Sequence, residues 1–100
     1  MRALLLALLA SCAADPTPAP SCQDAVTHFY SVGCEYKDRT TGAVQTSSQV
    51  AQVCVDLYAQ KPACKSELDA WAACLDARTG GADCDCSVEL QAVTTCGGMP

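Results

Sequence analysis

Cys84-Asp85-Cys86 is the one local arrangement in this sequence whose residue types could carry chemistry by themselves. A Cys-x-Cys pair can be a redox dithiol or two soft metal ligands. Redox work needs an accessible thiolate of lowered pKa, which a helix N-terminus favours. Cys86 falls near the start of a predicted helix, but the carboxylate of Asp85 beside it disfavours a thiolate. The competing reading is two half-cystines bonded to different partners, and the other cysteines favour it. His28 is the single histidine. It precedes Phe29 on a predicted helix, without the aligned nucleophile and orienting group that a general base requires. Glu67 and Glu89 recur at one position of an internal repeat. Paired carboxylates could hold a cation, but each also falls in a first helical turn, where the dipole favours an acid. Trp71 sits in an apolar stripe and reads as core. Tyr36, beside Lys37, Asp38 and Arg39, reads as part of a solvated loop, with exposed recognition as the alternative. No constellation assembles a reaction, so a protein that is not an enzyme is expected, without cofactor or metal.

The chain holds nine cysteines in 100 residues, an awkward odd number for an exported protein. The start of the chain accounts for the ninth. Arg2 is a minimal positive region, and Ala3 to Ala10 is an apolar run. This is a signal-peptide pattern, far too short to span a bilayer. Leu9-Ala10-Ser11-Cys12 resembles the lipobox of bacterial lipoproteins. The resemblance implies that residues 1–11 are a leader cut before Cys12, and that Cys12 becomes the lipidated mature N-terminus. It further implies attachment to the bacterial cell envelope through acyl chains, facing the periplasm or the outside. The other reading is an ordinary secretory signal cut after Ala14, which discards Cys12. Both leave the same eight cysteines, Cys22, Cys34, Cys54, Cys64, Cys74, Cys84, Cys86 and Cys96, at the density of a disulfide scaffold.

Residues 12–21 carry Pro16, Pro18 and Pro20 at alternate positions. Such a segment favours extended polyproline II over a core, and its residues after Cys12, 13–21, at about 3.1 Å each make a tether of up to roughly 28 Å. Residues 22–100 then form one cysteine-rich domain, small for stability on a hydrophobic core alone. The formal charge is −5, and the loss of Arg2 with the leader makes it more negative. This argues against nucleic acid and against electrostatic adsorption to anionic lipid. The expected partners are a membrane, reached through the lipid anchor, and an unidentified protein.

From Cys22 onward the apolar period is helical. Cys22, Val26 and Phe29 share a face, with Gly33 as a stop. Glu35 to Thr46 reads as a loop. Thr46-Ser47-Ser48-Gln49 is a capping box ahead of the stripe Val50, Cys54 and Leu57, flanked by Val53 and Tyr58. Lys61-Pro62 ends that helix, and Pro62 suits the first turn of the next. Cys64, Leu68, Trp71 and Leu75 form a third stripe, ending near Gly80-Gly81. Cys86, Leu90 and Val93 form a fourth, ending at Gly97-Gly98. The segments 64–74 and 86–96 agree at five of eleven positions: both cysteines, Glu67 with Glu89, Leu68 with Leu90, and Ala70 with Ala92. The domain therefore reads as a repeated Cys-bearing helix.

Ten residues turn a helix by about 1000°, leaving its two cysteines roughly 80° apart and ~15 Å apart along the axis. They cannot bond to each other, because bridged Cα atoms lie within about 7 Å. Two such helices laid antiparallel bring four cysteines into two crosswise pairs. The arrangement is similar to the twin Cys-x9-Cys hairpins of coiled-coil-helix-coiled-coil-helix proteins, although the bacterial-type leader argues against membership. Cys64–Cys96 and Cys74–Cys86 are the expected bridges. Eight cysteines allow on the order of a hundred connectivities, and spacing does not choose among those open to the other four. Antiparallel packing of the first two helices brings Cys22 or Val26 near Cys54, and the reading adopted is Cys22–Cys54 with Cys34–Cys84. The expectation is an all-α, small disulfide-stapled bundle of about four short helices. In function it is a lipid-anchored envelope protein acting as a non-enzymatic binding or structural module. The alternative is a thiol-redox or metal-binding protein using the Cys84/Cys86 pair.

Overall fold

The computed structural model describes residues 19–98; the lipobox and Cys12 lie outside the described residues. Within that span are helices α1 (Cys22–Ser31), α2 (Ser47–Gln60), α3 (Lys65–Ala77) and α4 (Ser87–Gly97), with a 3₁₀ turn at Pro62–Cys64 leading into α3. Isolated bridges, Lys37 with Val44 and Gly80 with Asp83, are the β-pairing among the described residues. The protein is an all-α, disulfide-stapled domain.

Side chains at the helix ends place the boundaries. Ser21 caps α1 by accepting the Asp24 N–H at 3.1 Å. Thr46 and Gln49 form a reciprocal capping box on α2: the Gln49 N–H donates to Thr46 Oγ1 at 3.1 Å, and the Thr46 N–H donates to Gln49 Oε1 at 2.8 Å. Such caps satisfy N–H groups that the helix itself leaves open. α4 has no cap from Cys86, its first flanking residue. Asp85 takes that role one residue earlier, its Oδ1 accepting the Ser87 N–H at 2.8 Å. α3 ends at Ala77, short of the expected stop at Gly80-Gly81, because Arg78 turns into extended backbone with ψ 145°. Its side chain is used in the following turn: Arg78 Nη1 reaches Asp83 Oδ1 at 2.8 Å, and the Thr79 N–H and hydroxyl reach Oδ2 at 3.0 and 2.8 Å.

α3 is the central element, touching all three other helices. Its buried face, Leu68, Trp71, Ala72 and Leu75, shares one core with Val26 and Phe29 of α1, Val50 and Ala51 of α2, and Val93 of α4. Each large apolar side chain so buried contributes roughly 1.5–3 kcal/mol. There are few of them, and five half-cystines complete the core: Cys22, Cys34, Cys54, Cys64 and Cys86.

Four disulfides tie the helices together. Cys22–Cys54 joins α1 to α2, with Cα atoms 5.7 Å apart. Cys64–Cys96 and Cys74–Cys86 cross-link the antiparallel pair α3 and α4, with Cα atoms 5.9 Å apart in both. Cys34–Cys84 links the loop after α1 to the loop after α3 at 5.5 Å. That junction is tight. Gly80 has φ +94°, and a Cβ placed there would lie 2.2 Å from the Val32 carbonyl oxygen, so the two loops touch backbone to backbone. His28 supports the same junction, its Nε2 lying 2.7 Å from the Arg78 carbonyl oxygen and donating to it.

Candidate functional site

Cys84 and Cys86 do not form a dithiol. Cys84 is bonded to Cys34 and Cys86 to Cys74, and Asp85 between them caps α4. One cluster of metal-ligand type occurs among the described residues: Cys74, Cys86 and Glu89, with candidate ligand atoms within 4.8 Å of one another. Two of those atoms are the sulfurs of a single disulfide. A soft metal takes thiolates, so this set has one available ligand, Glu89, while the bridge stands. Glu67 and Glu89 lie in the first turns of α3 and α4 respectively.

A concave surface lies elsewhere, where α2, α3, α4 and the loop after α1 meet. An open groove of about 280 Å³ has Tyr36, Trp71, Val50 and Leu57 among its lining residues, with Val53 and Leu90. Lys37, Asp38 and Arg39 also line it. The aromatic part of its wall follows from the loop. Tyr30 donates its hydroxyl to the Gln45 carbonyl at 2.7 Å and accepts the Tyr36 N–H at 3.1 Å, which pins both ends of the segment between them. The Tyr36 ring stacks on Phe29 at 5.1 Å between centroids and tilts 50° against Trp71 at 6.3 Å. The Trp71 indole N–H donates to the Tyr36 hydroxyl at 3.1 Å. Tyr36 is thus half-buried rather than part of a solvated loop. Burial pushes its phenol pKa up; the Trp71 hydrogen bond works against that, and the charges of Asp85 and Glu89 add to it.

The loop itself is a narrow ribbon. The Asp38 N–H donates to the Ala43 carbonyl and the Gln45 N–H to the Tyr36 carbonyl, both at 2.8 Å. Asp38 is turned into its own loop, accepting the Thr40 and Thr41 N–H groups at 2.8 and 2.9 Å. Those two donors hold its carboxyl below the usual range, Thr41 foremost. Lys37 and Arg39 form no ion pair among the described residues.

Of the residues singled out by type, the structure brings Tyr36 and Trp71 together and leaves His28 and Glu67 apart from them. Val53, Leu57 and Leu90 were readable as helix-stripe or flanking residues. Their common exposure on one groove was not, since the period assigns a face to each helix but not the partner that fails to cover it. Val53 is 47% exposed. No known protein family, characterised protein or solved structure matches this chain.

Proposed function

We propose that this protein is a lipid-anchored, disulfide-rich envelope protein, held through Cys12, that acts as a non-enzymatic binding module through the groove beside Tyr36 and Trp71. The observation that supports the reading most is the contrast between a fully bridged set of eight cysteines and an aromatic, apolar groove left open on the same scaffold. The sulfur chemistry serves shape, and the shape presents a concave surface. Four bridges also suit an oxidising, extracytoplasmic compartment. No helix among the described residues is long and apolar enough to cross a membrane; acyl chains on Cys12 supply attachment without one, two or more being needed for stable anchoring.

A second reading, a thiol-redox or metal-binding protein, draws on the closeness of Cys74, Cys86 and Glu89. Titrating free thiols on the unreduced, purified protein separates the two. No thiol and no bound metal supports the binding module, whereas two reactive thiols from the Cys84/Cys86 region support the alternative. Intact mass tests the anchor: an acylated Cys12 as first residue is the expected result, and a chain beginning at Asp15 would discard it.

A further inference from the structure

We infer that the groove takes an extended peptide carrying a carboxylate next to an apolar side chain, an inference that rests on the binding-module reading. Three independent features of the groove point to that chemistry. The first is the distribution of positive charge. The segment 19–98 has five basic side chains against a larger number of acids. Lys65 is paired with Asp69 and Arg78 with Asp83. Of the remaining three, Lys37 and Arg39 both line the groove. Two of the three cations without an ion pair among the described residues of this acidic protein therefore lie at the groove. The carboxylate between them, Asp38, is occupied by the Thr40 and Thr41 N–H groups. Lys37 and Arg39 form no ion pair among the described residues, so a ligand carboxylate is directed to their rim of the groove.

The second feature is apolar. Val53, Leu57 and the Tyr36 ring leave a surface that nothing among the described residues covers, and Val44 on the adjoining ribbon is 52% exposed. One aliphatic side chain seated there removes apolar surface on both partners from water. The third feature is the backbone. Lys37 and Val44 pair without exchanging hydrogen bonds, the bonds running instead through their neighbours on each side. In that antiparallel pattern their own N–H and C=O groups face the outer edges of the ribbon. The N–H groups of both lack a partner among the described residues. An edge of this kind accepts an added extended segment. Compact anions use the charge alone, and uncharged apolar ligands use the surface alone; an acidic, apolar, extended peptide uses all three.

The test uses the oxidised mature chain, carrying Cys12→Ser so that it is released in soluble form, with ¹⁵N labelling. The probe is acetyl-Val-Asp-Leu-Glu-Val-amide. It should produce saturable shifts at the Trp71 indole N–H and the amides of Tyr36, Lys37 and Val53. Two further peptides, with Lys in place of both acids and with Gly in place of all three apolar residues, should bind at least roughly tenfold more weakly. Lys37→Glu combined with Arg39→Glu, both at exposed positions, should leave the spectrum folded and weaken the acidic peptide by about tenfold. If the basic or the Gly-containing peptide binds the same residues as tightly, the ligand chemistry is wrong while the groove remains a binding surface. If none of the three moves these resonances, both the ligand chemistry and the groove's role are overturned.

Discussion

The two halves of this domain begin from the same device, a helix that starts with a cysteine, and finish it differently. In the α3–α4 half the second cysteine comes ten residues after the first in both copies, still on the helix, and two crosswise bridges close the pair at both ends. In the α1–α2 half the second cysteine, Cys34, comes twelve residues after Cys22 and lies beyond the end of α1. It cannot staple α2, and bonds instead to Cys84 in the other half. One bridge, Cys22–Cys54, is left between α1 and α2. The far end of that pair is closed by the Tyr30 hydroxyl and the stacked ring of Tyr36. Where sulfur fixes the structure, the loop is short and turned on itself around Asp83. Where aromatic contacts fix it, the loop is longer, and its cations and apolar side chains stay available. A displacement of two residues in cysteine spacing thus separates a closed half from one that offers a groove.

Removing single bridges tests that contrast most strongly. Cys22–Cys54 and Cys64–Cys96 span the same sequence separation, 32 residues, so loop entropy alone assigns them equal weight, about 4 kcal/mol. Cys22→Ser with Cys54→Ser should cost about that much. Cys64→Ser with Cys96→Ser should cost less, because Cys74–Cys86 already shortens the loop that this bridge closes and still holds the hairpin. Equal losses in chemical denaturation would show that the second bridge is redundant and the contrast misplaced. Gly80→Ala probes the junction between the halves. With the Val32 carbonyl 2.2 Å from the new Cβ the backbones must separate, at a cost of roughly 3 kcal/mol. Gly81→Ala, also at positive φ but with nothing within 4 Å, should cost only about 1–2 kcal/mol. A similar loss of Tm in both variants would mean that backbone conformation, not the contact, governs the site.

Smaller effects sharpen the groove side. Tyr36→Phe keeps the ring stack and removes the acceptor for the Trp71 indole N–H, leaving a buried donor unpaired at about 1–3 kcal/mol. An unchanged Tm would show that the indole finds another partner. The smallest effect is that of pH. Asp69 is lowered by its bond from Lys65 and then from Tyr58, Asp83 by Thr79, and Asp85 by Ser87. A carboxylate lowered in the folded state stabilises it above the unfolded pKa, about 4, and that contribution is lost as pH falls through the folded values. Tyr36 and Tyr58 are raised, chiefly by burial, so their contribution holds below about pH 10 and is lost as pH rises further. Thermal unfolding from pH 2 to pH 11 should therefore show a plateau through neutrality with a decline at each end. The acid decline should be shallow, because these carboxylates are largely solvated and bridges unaffected by acid hold the fold.

The sequence by itself determined the helices, the capping box of α2 and the class of the fold. Those are local consequences of apolar period, of Thr46 with Gln49, and of Pro62 and the glycines. It also determined the crosswise pairs of the α3–α4 half, because ten residues of helix leave two cysteines unable to reach each other and able to reach a partner helix. Tertiary structure alone decided the rest. Leu57 carries the same stripe signal as Leu68 and Leu75, yet it lines a groove while they are fully buried, since the sequence does not say which apolar face is left without a neighbour. Asp85 has a chemical neighbourhood between two cysteines but a structural task at the start of α4. Tyr36 sits in a polar run and still becomes part of an aromatic wall, because Phe29 and Trp71, distant in the chain, arrive on either side of it. Local order follows from spacing along one helix; the groove follows from which helices meet, and how far they leave one another uncovered.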